Sequence, residues 1–285
     1  MNQYTLRTWL VLAAAALLPV VLAVDAAASS KAEVEAKIKR GTLEVEGTKA
    51  GEEIALRLRA GDPAILEIVT PGGVLAFPRD QFTKIDVEAG HGDDAADGNV
   101  GADIGLLGRG DDSFTWDPGD GSDRVEGSRG DDTLVFNGAG GAENFDVSAN
   151  GKRLRFFRNL GNIVMDVDDT ERVDLRALGG ADSTVMNDVS QTDLEELDID
   201  LAAAIGGSAG DLAADTVTLF GSEGSSDDDE RRSHDEVTIA GADGSVSVDG
   251  LSAFVRITHA EPALDLLSVN TLGGDDEVDA SALAA

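Results

Sequence analysis

Five aspartates stand on a nearly fixed grid: Asp94, Asp103, Asp112, Asp123 and Asp132, separated by nine, nine, eleven and nine residues. Each has a glycine two places earlier, namely Gly92, Gly101, Gly110, Gly121 and Gly130. Self-similarity at so short a period marks a repeat architecture, in which one unit cannot bury its own apolar face and must stack on the next. Stacking also constrains the chemistry. Equivalent carboxylates fall into rows, and rows of like charge repel unless something cationic lies between them.

Between Ala89 and Phe136 the grid divides into nonapeptides beginning at Ala89, Gly98, Leu107, Pro118 and Gly127, with a two-residue insert, Trp116-Asp117, before the fourth. The shared pattern is G-G-x-G-x-D-x-U-x, where U is a large apolar residue. Glycine allows a sharp turn with positive φ. The last three residues then make a short strand with U facing inward. Two nonapeptides are expected to form one coil of a flattened parallel roll, about eighteen residues round. Turns two repeats apart therefore share an edge, which places Asp94 over Asp112, Asp103 over Asp123 and Asp112 over Asp132, each gap able to hold one calcium ion. Ala96 and Gly105 occupy the U places of the first two repeats, so a weak core is expected there.

Composition narrows the partner. The formal net charge is -33. Nucleic acid is excluded as a partner, because phosphate binding needs a basic footprint. A chain adapted to high salt is the alternative source of such acidity. There is no cysteine and there are only three histidines, His91, His234 and His259, which disfavours zinc and leaves hard oxygen ligands, the kind that suit calcium. Abundant glycine with short runs of Val, Ile, Leu and Thr reads as many strands joined by tight turns.

Residues 1–28 read as an export signal: Arg7 supplies charge, Trp9 to Val24 is an apolar run, and the small residues Ala26, Ala27 and Ala28 follow. An uncleaved anchor is the alternative. No long apolar or amphipathic segment follows residue 30, so no membrane insertion of the exported chain is expected. Residues 29–88 read as an N-terminal β-strand segment, with strands at Thr42–Glu46, Ile54–Leu58, Ala64–Val69, Gly73–Phe77 and Phe82–Glu88. Residues 89–136 are the nonapeptide roll, and 137–285 continue it as an irregular solenoid. Asn150-Gly151, flanked by Asp146–Ser148 and Arg153–Phe157, is a hairpin signal. Ser222 to Asp235 reads as a charged surface loop. The pattern over Asp193 to Ala204 fits either a strand or a short helix.

The nonapeptides resemble the haemolysin-type calcium-binding repeat, also called repeats-in-toxin, over about Ala89 to Phe136, with Leu107 to Val135 carrying the specific part. A wider likeness to secreted bacterial proteins of this group covers most of the chain. The resemblance implies a parallel β-roll whose motif aspartates, here Asp94, Asp103, Asp112, Asp123 and Asp132, ligate calcium. The chain departs from the pattern where Asn99 and Ser128 replace the second glycine, and where Ala89, Leu107 and Pro118 replace the first.

Other constellations are weaker. Gly206-Gly-Ser-Ala-Gly210 matches the G-x-S-x-G nucleophile string around Ser208, but the flanking residues read as a small-residue linker without the required strand and helix. Asp182 and Asp276 sit in Gly-Gly turns with no partner turn at a regular spacing, which reads as solvated turns. The sequence thus points to an all-β, parallel β-roll or β-solenoid with Gly/Asp-rich turns, exported, non-enzymatic, calcium-binding, and structural or adhesive in role. A cell-surface or matrix partner is left open. The alternatives are a secreted hydrolase with a calcium-binding accessory region, and a salt-adapted solenoid without specific ion sites.

Overall fold

The computed structural model describes residues 33–59, 61–223 and 234–284. The expected export signal at 1–28 and residues 224–233 of the expected loop lie outside the described residues. Strands appear in the order β1 (Glu35–Lys39), β2 (Thr42–Glu46), β3 (Glu53–Arg59), β4 (Asp62–Thr70), β5 (Gly73–Pro78), β6 (Lys84–His91), β7 (Ala95–Asp97) and β8 (Ile104–Arg109). Through the rest of the grid and beyond run β9 (Ser113–Trp116), β10 (Arg124–Arg129), β11 (Thr133–Asn137), β12 (Asn144–Asn150), β13 (Arg153–Arg158), β14 (Ile163–Asp168), β15 (Arg172–Arg176) and β16 (Ser183–Met186). The last are β17 (Glu196–Asp200), β18 (Thr216–Phe220), β19 (Glu236–Ala242), β20 (Ser245–Asp249), β21 (Phe254–Thr258), β22 (Leu266–Asn270) and β23 (Glu277–Leu283). Among the described residues the only helical pieces are two single 3-10 turns, Arg79–Gln81 and Leu160–Asn162. The expected all-β class is observed, and within Asp193 to Ala204 the residues Glu196–Asp200 form the strand β17.

The strands form two large mixed sheets. Sheet A runs β1-β2-β6-β8-β10-β14-β13-β12-β16-β18-β22, and sheet B runs β23-β19-β20-β21-β17-β15-β11-β9-β7-β3-β4-β5. Through the grid the chain alternates between sheets, so each strand lies parallel to the one before last. Asp86 pairs with Ile104 and Ala95 with Ser113, a step of eighteen residues that matches the two-nonapeptide period. Across the Trp116-Asp117 insert the step becomes twenty, as Ile104 pairs with Arg124 and Ser113 with Thr133.

Three antiparallel meanders interrupt this alternation: β3–β4–β5, β12–β13–β14 and β19–β20–β21. The second turns at Asn150-Gly151 as expected, with Gly151 at φ 69. Each meander has three strands, so its first and last point the same way. The first ends its sheet at β5, whereas at the other two the parallel order resumes on either side. Accordingly β14 pairs with β10, and β12 with β16, in parallel.

Alternation within each strand follows from the pleat, which sends successive side chains to opposite faces. In β9 and β11 the inward residues are Phe114, Trp116, Leu134 and Phe136, all fully buried. Facing them across the sandwich are Leu107 of β8 and Val125 of β10. The expected weak core at Ala96 and Gly105 is corrected. Both are buried, and a Cβ at Gly105 would meet Phe114 Cδ2 at 2.7 Å, so the larger ring of the next repeat takes the missing side chain's place. Of the insert, Trp116 packs inward and Asp117 is exposed. Trp116 stacks on Phe136 at 4.2 Å with the planes 1° apart, and its Nε1–H donates to the Gly121 carbonyl at 2.8 Å. Phe156 lies 4.5 Å from Phe136, so Trp116, Phe136 and Phe156 form one aromatic cluster in the core where the second meander joins.

Candidate metal centre

The motif turns fall on two edges of the sandwich. Asp94, Asp112 and Asp132 precede strands of sheet B, whereas Asp103 and Asp123 precede strands of sheet A. Stacking requires the backbones of successive turns to touch. A Cβ on Gly110 would overlap the Gly92 carbonyl oxygen, one on Gly130 the Gly110 oxygen, and one on Gly121 the Gly101 oxygen. On Gly92 it would strike the Gly51 nitrogen, and on Gly101 it would lie 2.6 Å from the carboxylate of Asp103 itself. Close approach of stacked backbones therefore demands four of the glycines, and Gly101 makes room for the carboxylate of its own turn. The second motif place needs a left-handed backbone, and Asn99 and Ser128 supply it at φ 58 and 85, so these two departures from the repeat preserve the turn.

Each motif aspartate takes part in a rung of two bonds between neighbouring coils. The Asp94 N–H donates to Asp112 Oδ1 at 2.7 Å, and the Asp94 carbonyl accepts from Ser113 at 2.8 Å. Asp103 and Asp123 repeat this at 2.9 and 3.0 Å, and Asp112 and Asp132 at 2.9 and 2.8 Å. The first column extends beyond the grid at both ends: Glu52 N–H donates to Asp94 Oδ1, and Asp132 N–H to Glu171 Oε2. The three stackings read from the spacing are thus present.

These bonds use one oxygen of each carboxylate. The other, Oδ2 of Asp94, Asp103, Asp112, Asp123 and Asp132, is buried without a hydrogen-bond partner, and the residues are 0–3% exposed. A buried charge with an unmet acceptor is costly. The electrostatics agree. Burial pushes the Asp123 carboxyl up to about 8, those of Asp103 and Asp132 to about 7 and that of Asp94 to about 6, and raises Asp112. In each case the accepted backbone N–H offsets this only in part. Five inward oxygens of hard donors, each lacking a proton donor, fit a hard divalent cation coordinated by oxygen.

The column on the second edge does not stop at Asp123. Past the β12–β14 meander, Glu143 N–H donates to Asp182 Oδ1, Asp182 N–H to Asp215 Oδ1, and Asp215 N–H to Asp265 Oδ1, at 2.7, 2.8 and 3.0 Å. The expectation of a solvated turn at Asp182 is therefore corrected: the residue is 3% exposed and sandwiched between partner turns. Asp276 likewise accepts from the Asp235 N–H at 3.0 Å. The steps from Glu143 to Asp182 to Asp215 are 39 and 33 residues, which hid them from a search at a fixed period. A signal was present in the string Gly-Gly-x-acid at Gly140–Glu143, Gly179–Asp182 and Gly273–Asp276.

The remaining candidates lack a built environment. Ser208 is exposed on the connection between β17 and β18, and no helix follows it. His91 is exposed, His234 contacts the Asp275 carbonyl, and His259 Nδ1 lies 2.6 Å from Asp200 Oδ1. Asp168, Asp169 and Asp193 bring oxygens within 4.8 Å of one another, but Asp169 and Asp193 are exposed and Asp168 already pairs with Arg153 at 2.8 Å. No helix among the described residues is long and apolar enough to cross a membrane. No family model matches this chain, and no curated protein matches it.

Proposed function

We propose that this chain is an exported calcium-binding protein whose grid region is a β-roll folded around its ions. The observation that carries this reading is the set of buried, unpartnered Oδ2 atoms at Asp94, Asp103, Asp112, Asp123 and Asp132. Those aspartates, with the turn backbones at Gly92, Gly101, Gly110, Gly121 and Gly130, would hold the ions. Bound calcium would supply positive charge between neighbouring coils, with the carboxylate and carbonyl oxygens as its ligands. The chain's own part is to fix the carboxylates: each rung orients one oxygen by a backbone bond and turns the other inward. The parallel ladders of β6–β11, stepping by eighteen residues and by twenty across the insert, support the roll, with the meanders as interruptions of a longer solenoid.

The mechanism is ion-coupled ordering. Stacked carboxylates oppose folding, and a Gly-rich chain gains little from burial to offset its lost entropy. An ion that binds only the folded state stabilises it by mass action. Weak sites suffice outside the cell, where modules with dissociation constants of about 10⁻⁴–10⁻³ M are used. The role we propose is structural or adhesive rather than enzymatic: Ser208, in the one candidate nucleophile string, is exposed and has no helix after it among the described residues.

Far-ultraviolet circular dichroism with and without millimolar calcium tests this. The strand signal is expected to grow on calcium addition in the parent and to grow less in Asp112→Ala and Asp132→Ala. An equal signal in chelator and in calcium, or equal stabilisation by potassium, would refute it in favour of a salt-adapted fold.

A further inference from the structure

Three of the buried carboxylate oxygens without a hydrogen-bond partner lie outside the nonapeptides: Asp86 Oδ1, Asp182 Oδ2 and Asp198 Oδ1. Asp86 Oδ1 and Asp198 Oδ1 sit beside Lys84 Nζ and Arg256 Nε at 2.7 and 3.0 Å, whereas Asp182 Oδ2 pairs with no cationic side chain among the described residues. Asp182 closes the turn from β15 to β16. Its Oδ1 accepts from the Glu143 N–H, its N–H donates to Asp215 Oδ1, and its carbonyl accepts from Thr216 at 2.8 Å. This is the same two-bond rung that holds the grid aspartates. The turn is also built to stack: a Cβ on Gly180 would lie 2.5 Å from the Gly141 carbonyl carbon, and Leu178 holds the left-handed second place at φ 68.

Asp182 faces three acids. Glu143, above it, is 1% exposed and forms a buried ion pair with Arg158. Below it, Asp215 is 4% exposed, and Asp211 accepts from the Gly180 N–H at 2.6 Å and from the Ala213 N–H at 2.8 Å. Among the described residues no lysine, arginine or histidine pairs with Asp182, Asp211 or Asp215. At the top of this column, then, an internal arginine neutralises the acid. One turn further on the same arrangement has the acids and the inward oxygen but no cationic side chain.

We propose that the turn Ala177–Asp182, over Asp211 and Asp215, is a second divalent-cation site, separate from the nonapeptide grid and held through Asp182 Oδ2. Arg158 does for Glu143 what the metal does for Asp182. The inference shares with the grid reading the premise that an orphaned inward oxygen marks a cation, but its residues are its own.

Calorimetric titration of calcium chloride into the purified chain, Asp182→Asn and the triple variant Asp112→Asn/Asp123→Asn/Asp132→Asn separates the two. Asparagine keeps the oxygen that accepts the Glu143 N–H and replaces only Oδ2. Asp182→Asn is expected to bind one ion fewer than the parent, and the triple variant to retain an ion that is lost, or bound at least tenfold more weakly, once Asp182→Asn is added. Equal stoichiometry and affinity in Asp182→Asn and the parent overturns the second site whatever the grid variants do. A triple variant that binds as many ions as the parent overturns the grid reading instead. Should the triple variant fail to fold, amide exchange in the parent decides. Calcium is expected to slow exchange of the Asp182 and Thr216 amides at least tenfold, and unchanged exchange there rejects the site.

Discussion

Replacing Asp123 by asparagine should stabilise the chain in chelator, and calcium should cancel most of that advantage. Burial carries this carboxyl from 3.8 to about 8. A shift of about four units, at about 1.4 kcal/mol each, corresponds to a folding penalty on the order of 5 kcal/mol once the group is ionised. That is comparable with the whole stability of many domains, roughly 5–15 kcal/mol. Because the folded state holds the proton more tightly, the penalty is absent below about pH 4 and complete above about pH 8. Asparagine removes the charge and keeps the oxygen that accepts the Asp103 N–H, but buries an amide donor in place of Oδ2, at a cost of about 1–3 kcal/mol. The net gain in chelator at pH 9 is therefore about 2–4 kcal/mol, a rise in Tm on the order of 10 °C. In 10 mM calcium the parent gains about 2.7 kcal/mol from a site whose dissociation constant is about 10⁻⁴ M, and the variant does not. The variant's advantage should then fall to within about 1 kcal/mol of zero. Thermal unfolding followed by circular dichroism, at pH 4.5 and pH 9, with chelator and with calcium, reads all four conditions. If Asp123→Asn is destabilised equally in chelator and calcium at pH 9, the buried charge is not what the ion relieves, and the reasoning fails.

Calcium uptake at pH 7 should release protons, because Asp103, Asp123 and Asp132 rest at about 7, 8 and 7 without a cation; calorimetry in two buffers of different ionisation enthalpy measures the release, which should vanish at pH 9, while affinity falls as pH drops below 7. Gly121→Ala should cost at least about 3 kcal/mol in urea unfolding, in calcium as well as in chelator, since its Cβ would overlap the Gly101 carbonyl oxygen. Arg158→Met should cost about 3–5 kcal/mol by leaving Glu143 buried and unpaired, and adding Glu143→Gln should recover most of the loss.

The grid was legible because its signal is local. A turn needing glycine at the close approach and an acid two residues later repeats within nine or eleven residues, so period and stacking follow from spacing alone. The hairpin at Asn150-Gly151 was legible for the same reason. What sequence could not supply were relations across long intervals. Asp182 finds Glu143 and Asp215 only because meanders and a long connection intervene, and Leu178 holds a left-handed place where a pattern search looks for glycine. Gly105 read as a gap in the core because its filler, Phe114, belongs to the following repeat on the opposite sheet. Arg158 had no marker at all: its pairing with Glu143 exists only once β13 folds back against β12.

The β12–β14 detour lengthens one wall of the sandwich by two strands, about 10 Å at the usual spacing between neighbours. Left alone, that would leave the wall overhanging with its inner face uncovered. The β19–β21 detour lengthens the opposite wall by the same amount, so that β10 through β22 and β11 through β23 each contribute seven strands. The later hairpin is thus a counterweight to the earlier one. Excising either should leave a ledge of bare valine and leucine, whereas excising both together should shorten the molecule and leave its two ends flush.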